Sequence, residues 1–381
     1  MGTTYMEFLT KLPTISRSLR FLSKTLALGL ITTSLQAGEL LSIANDLNPN
    51  ENGLPPPLEK PLDISVCFFD MQGKNGDFYS KAKDLALIAK RWNVIADIKV
   101  FTDERVAAEN FKAGQCDAAG ISTMRARQFN LFMGSIEAVG AITTYDQLRL
   151  LLRTLLDPKI VPLTISEPYQ ILGVLPVGGM YIHVRDRQIN SIEKAAGKKI
   201  AVIDWDNSQA EIVNKIGAHP VPSNLSNFAS KFNNGQVDII VAPAIVFRPF
   251  ELNRGLGETG GIYRQPLTQM TASFVINRER LKKKLPDLDE KLAAFRVIAD
   301  QFIDQILTQT YKWIDREEAA IPAKYWLTTD PDNEQKYWNM LRDARLSMTQ
   351  QGYYDPKMMA LLKRIRCKTN PEQAECSKND E

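Results

Sequence analysis

Two segments of the chain end in the same way, and this recurrence restricts the fold more than any other feature. Phe111-Lys112-Ala113-Gly114-Gln115-Cys116-Asp117 and Phe232-Asn233-Asn234-Gly235-Gln236-Val237-Asp238 place Phe, Gly, Gln and Asp in register, each ahead of an apolar run. A Gly just past a helix supplies the left-handed turn that ends it, and the Asp then opens a strand. Each segment closes a strand–helix–strand–helix–strand unit. In the first unit the strands fall at 62–70, 96–101 and 116–121; the helices are 77–91, with apolar residues at helical spacing, and a second one capped by Asp103. In the second, strands at 199–204 and 235–241 and a short extended Val221-Pro222 alternate with helices at 208–216 and 227–232. Such alternation predicts an α/β fold with two mainly parallel sheets, flanking helices and a ligand cleft between two lobes.

Two further strands, 169–176 and 272–277, flank the second unit and are natural crossings between lobes. Beyond them the pattern is helical at 288–313, 335–350 and 356–365, with breaks at Pro322 and Pro331. The expected organisation is a leader at 1–37, an extended Pro/Asn-rich lead-in at 38–61, the first part of lobe 1 at 62–170, and lobe 2 at 171–270. The return to lobe 1, with the long helix and a C-terminal helical extension, takes 271–381.

The leader is read from Lys11, Arg17, Arg20 and Lys24, the apolar stretch 26–31, and the small residues up to Ala37, after which cleavage is expected. The apolar stretch is too short for a membrane span, which needs about 20 residues. The 4 Cys suit an oxidising compartment. Cys367 and Cys376 enclose a short polar loop and are expected to pair. Cys67 and Cys116 lie in apolar strands; they pair if those strands are neighbours, or stay as two buried thiols. The net charge of +3 shows no nucleic-acid footprint, and His183 and His219, the 2 His, have no metal-ligand spacing.

The stretch 192–249 resembles the extracytoplasmic solute receptors of TRAP transporters, the dicarboxylate-receptor-like superfamily. The pieces are Gly197-Lys198-Lys199-Ile200-Ala201-Val202, then Ile216-Gly217-Ala218-His219-Pro220-Val221-Pro222, then Asn234-Gly235-Gln236-Val237-Asp238. Val275-Ile276-Asn277, followed by Pro286 and the long helix, agrees with it. The resemblance implies a bilobed periplasmic-binding-protein-like fold. It also implies a periplasmic protein that captures a small organic molecule, an organic acid among the candidates, and no catalysis. The partners implied are that ligand and the membrane subunits of a transporter, with a second copy of the chain as a further candidate; no cofactor, metal or nucleic acid is called for. Many receptors of that kind hold the substrate carboxylate with an Arg in the strand after the Gly-Lys pair. Here that position is Ala201, so this inference does not transfer and the chain reads as a divergent branch.

Ligands of open α/β sheets sit at the carboxyl ends of strands. Four loops qualify, containing Asp70 and Gln72; Thr123 and Arg125; Asp204, Trp205, Asp206 and Ser208; and Phe247. Tyr181, after the first crossing strand, is a fifth candidate. Trp205 is placed to wall a ligand, or else belongs to the core; Asp206 is placed to bond a ligand, or else caps a helix. Arg125 is the candidate for the missing carboxylate fork. Two other functions on the same fold stay open: a periplasmic sensor or envelope-interaction protein, and an enzyme, although the sequence has no nucleophile elbow, metal motif or phosphate loop.

Overall fold

The computed structural model describes residues 47–381; the expected leader at 1–37 and residues 38–46 of the lead-in lie outside the described residues. The first unit is β1 (Leu62–Phe69), α1 (Asp77–Ala89), β2 (Val94–Phe101), α2 (Glu104–Lys112) and β3 (Ala118–Ser122). Short helices α3 (Thr123–Ala126) and α4 (Leu131–Gly134), then α5 (Tyr145–Thr154) and β4 (Ile165–Ser166), lead to a long strand, β5 (Tyr169–Val184). The second unit is α6 (Ile192–Ala195), β6 (Lys199–Ile203), α7 (Asn207–Lys215), β7 (His219–Ser223), α8 (Phe228–Asn233) and β8 (Ile239–Pro243). The chain returns through α9 (Leu252–Leu256), β9 (Gly261–Tyr263), β10 (Gln269–Asn277) and α10 (Arg278–Lys284). It ends with α11 (Leu288–Ala319), β11 (Trp326–Leu327), α12 (Pro331–Gln350) and α13 (Pro356–Thr369).

The recurring segments make the same bonds in both units. Phe111 and Phe232 are fully buried. Gly114 and Gly235 adopt φ of +75° and +72°, which only glycine takes without strain. The following Gln N–H reaches back to the last helical turn, Gln115 to Asn110 O at 2.9 Å and Gln236 to Lys231 O at 2.8 Å. Each Asp then locks the first strand of its own unit: Asp117 accepts from the Ser65 N–H at 2.9 Å, Asp238 from the Lys199 N–H at 2.8 Å.

The strand order is β2-β1-β3-β10-β5-β8-β6-β7. β1 is parallel to β2 and β3, and β6 is parallel to β7 and β8. These two parallel ladders are joined into one path because β5 serves both. Its part from Tyr169 to Gly179 pairs antiparallel with β10, and its part from Met180 to Val184 pairs with β8. β5 therefore outruns the strand expected at 169–176. It passes through Gly178, whose φ of +133° lets the strand go from pairing with β10 to pairing with β8 without ending.

Both disulfides form: Cys67 with Cys116, where β1 lies beside β3, and Cys367 with Cys376. The C-terminal helices are tied down by apolar and ionic contacts. Leu341, Met348, Met358 and Leu362 are fully buried. Arg345 and Arg366, 2 % and 3 % exposed, share the carboxylates of Glu375 and Glu381 at 2.6–3.3 Å. The same two guanidinium groups donate to the carbonyls of Val139 and Ala141, in the loop behind α4. Among the described residues no helix is long and apolar enough to cross a membrane.

Candidate functional site

The turn after β3, in the first parallel ladder, and the turn after β6, in the second, meet each other. Both are shaped by helix caps. Ser122 Oγ accepts from the Arg125 N–H at 3.1 Å, and Asp206 Oδ1 accepts from the Ser208 N–H at 3.1 Å and its hydroxyl at 2.5 Å. Three contacts bridge them. The Arg125 guanidinium carbon lies 3.9 Å from the Trp205 ring centroid, Arg127 Nη1 is 3.4 Å from Asp206 Oδ2, and Gln209 Nε2 is 3.3 Å from Met124 Sδ.

Behind Arg125, Glu104 accepts from the Ser122 N–H at 2.7 Å and places its other oxygen 3.5 Å from Arg125 Nε. Burial pushes the Glu104 carboxyl above its usual range, against the Ser122 hydrogen bond and the Arg125 charge. Arg127 is fixed by the Gly134 carbonyl at 3.2 Å and by the Tyr354 ring, 5.4 Å away. Beside them Glu137 Oε1 accepts from the Thr271 N–H at 2.7 Å and lies 2.8 Å from the Thr271 hydroxyl. That hydroxyl begins a chain through Thr123 to Ser273, in steps of 2.7 Å. Burial raises the Glu137 carboxyl to about 7 despite the Thr271 hydrogen bonds and the Arg127 charge.

These groups form one wall of a cavity of about 730 Å³. The rest of the lining is mainly apolar: Met71 and Phe78 after β1, Met124, Ile212, and the sheet face carrying Val66 and Phe274. The cavity runs under α1, which lines it with Ala82, Leu85 and Ala86 and has no fully buried residue. Ala201, where the resemblance would place an arginine, lines the cavity as well.

Of the residues singled out in the sequence, Asp70, Trp205, Asp206 and Ser208 line this cavity. Asp70 is already occupied, accepting from the N–H groups of Gln72 and Tyr79 at 2.8 and 2.9 Å. Arg125 and Thr123 sit immediately behind the wall, in the contacts just described. Gln72 and Asp204 are exposed. Phe247 is buried with its ring 6.0 Å from that of Tyr325. Tyr181 lies at a separate pocket of about 500 Å³ with Trp326 and Glu318. There its hydroxyl donates to Glu318 Oε1 at 2.6 Å, and Tyr145 donates to the same oxygen. The sequence reading missed Glu104, Glu137, Thr271 and Ser273. Glu104 follows the Asp103 cap, and Thr271 and Ser273 alternate on a strand, a weak signal for one shared face.

The family model described as "Solute-binding protein AdeT 1/2" matches residues 82–381. The probable solute-binding protein AdeT1 of Acinetobacter baumannii is 42% identical over 313 residues, 82% of this chain and 100% of that protein. AdeT2 of the same organism is 28% identical over 244 residues, 64% of this chain and 98% of that protein. Among solved structures, a TRAP periplasmic solute-binding protein from Ochrobactrum anthropi superposes with a TM-score of 0.65 at 11% identity, covering 83% of this chain and 98% of that one. One from Shewanella oneidensis, with bound succinate, gives a TM-score of 0.62 at 12% identity over 80% of this chain and 99% of that one. The ectoine-binding protein of a Halomonas elongata TRAP transporter gives 0.62 at 14% identity, over 80% and 98%. The chain has the bilobed fold of these proteins, and it belongs to the AdeT 1/2 family of solute-binding proteins.

Proposed function

We propose that the protein captures a small organic molecule in the cavity between the turns after β3 and β6, and presents it to a membrane transporter by closing its lobes. The observation that carries this reading is the pair of bridges made by one turn, Arg125 to Trp205 and Arg127 to Asp206. They join the two lobes at the mouth of a cavity large enough for an organic ligand. Lobe 1 is assigned to 62–170 and 271–381, and lobe 2 to 171–270. The site belongs in the periplasm, where the two disulfides persist, and the protein is a binder, not an enzyme. Relatives of this fold hold orotate, succinate and glucuronate, which favours a ligand with an acidic group. The Arg127 guanidinium, which lines the cavity, is the group to receive it.

The test is native mass spectrometry of protein isolated from the periplasm. A stoichiometric small-molecule adduct that is lost on unfolding is the expected result. A bare mass, together with no thermal stabilisation by any compound of a broad organic-acid and amine panel, overturns the reading in favour of a protein-partner role.

A further inference from the structure

The charged groups at the polar wall of the cavity do not balance, and the imbalance has a direction. Each arginine there already has a carboxylate: Arg125 has Glu104 at 3.5 Å and Arg127 has Asp206 at 3.4 Å. Glu137 is the third carboxylate, and it faces no cation of its own. It is 5 % exposed and borders the cavity. Thr271 supplies both hydrogen bonds to its Oε1, while its Oε2 accepts none among the described residues. A carboxylate carries about four acceptor positions over its two oxygens, and a buried one left half-satisfied is costly. Asp70, the other carboxylate in reach of the cavity, differs because two backbone N–H groups fill it. Lys81, the lysine on the cavity lining, has its ammonium 4.9 Å from the Trp313 ring centroid.

On the face of the sheet that carries Thr271 and Ser273 the lining is apolar, along Ile121 on β3, Val174 on β5 and Met133 on α4. A small dicarboxylate would bury charge against those residues and bring a further negative charge to Glu137. An apolar molecule without a donor would leave Glu137 Oε2 unmet and dry.

We propose that the ligand carries a protonated amine or another N–H donor that meets Glu137, on a mainly apolar body. An acidic group on the same molecule remains compatible with Arg127, so amphipathic amines and apolar amino acids form the class. This rests on the solute-binding reading and narrows it.

A matched series tests the assignment on ligand-stripped protein by calorimetric titration: phenethylamine, phenylalanine and 3-phenylpropanoate, with succinate alongside. Phenethylamine and phenylalanine are expected to bind about tenfold or more tightly than 3-phenylpropanoate, the scale of a charge-assisted hydrogen bond. Glu137→Gln is expected to remove that preference while the protein still unfolds cooperatively. Tighter binding of 3-phenylpropanoate or succinate than of either amine overturns the assignment to Glu137 and leaves solute capture standing. So does a preference that survives Glu137→Gln. No binding by either amine also overturns the assignment, and the native-mass adduct then reports separately on whether solute capture survives.

Discussion

Arg125 holds its guanidinium carbon 3.9 Å from the centroid of the Trp205 ring, so a residue just after β3 stacks on one just after β6. An arginine against an indole is attracted by the ring quadrupole, by about 1–2 kcal/mol where both are desolvated. Trp205→Ala removes this contact and one wall of the cavity. Ligand affinity is expected to fall about tenfold or more, with the urea midpoint nearly unchanged because Trp205 is only partly buried. Arg125→Lys keeps the charge but loses the planar face, and its affinity is expected to fall as well. Titration of the co-purifying ligand checks both, and unchanged affinity in both variants removes this wall from the site.

How much of this was legible in the sequence depends on distance along the chain. The Phe-x-x-Gly-Gln-x-Asp segments carried both parallel units, because a helix end, a left-handed glycine and a strand start are local events. The loops after β1, β3 and β6 were found for the same reason. Helix α5 was overlooked although its signal is local: Thr144 caps it, Gln147 answers the cap, and Leu148, Leu151 and Leu152 are buried. What could not be read is pairing across the fold. Glu137 and Thr271 meet over 134 positions, and Glu104 reaches Arg125 from the far end of α2. Tyr181 turned to Glu318 on α11, a partner that no spacing rule anticipates.

The acidic residues near position 380 are predicted to matter for stability more than their place suggests. Arg345 and Arg366 are buried, and Glu375 and Glu381 are the carboxylates that neutralise them. Glu375→Gln with Glu381→Gln, which spare the Cys367–Cys376 disulfide, leave two buried guanidinium groups without acidic partners, a loss expected at about 3–5 kcal/mol. The loop 135–142 is expected to loosen with them, since both arginines also hold its carbonyls. Arg345→Met with Arg366→Met added to that double variant is expected to recover part of the loss, because apolar side chains tolerate that burial. Urea unfolding of the three proteins checks this; equal midpoints would mean that the network adds nothing.

Stability against pH is set in part by two buried groups that pull in opposite directions. Burial lowers the His183 imidazole to about 4, against the Tyr181 carbonyl that would favour its charged form. Its folded value lies below the unfolded value of about 6.5, so the unfolded chain binds its proton more readily. The stability His183 contributes is full above about 6.5 and falls as pH drops through that value toward about 4. Glu137 behaves oppositely. Its folded value of about 7 exceeds the unfolded value of about 4.3. Its contribution is full below the unfolded value and is lost as pH rises through about 7. Each swing is at most about 3–4 kcal/mol by the conversion of pH units to free energy. Glu137→Gln keeps an oxygen for Thr271 and no longer titrates, so it is expected to be more stable than the parent at pH 8 and to lose that advantage by about pH 4.5. His183→Gln is expected to lose the decline between pH 6.5 and 4. Urea midpoints measured from pH 4 to 8 check both signs. A Glu137→Gln profile parallel to that of the parent would mean that the carboxyl titrates alike in the folded and unfolded chain.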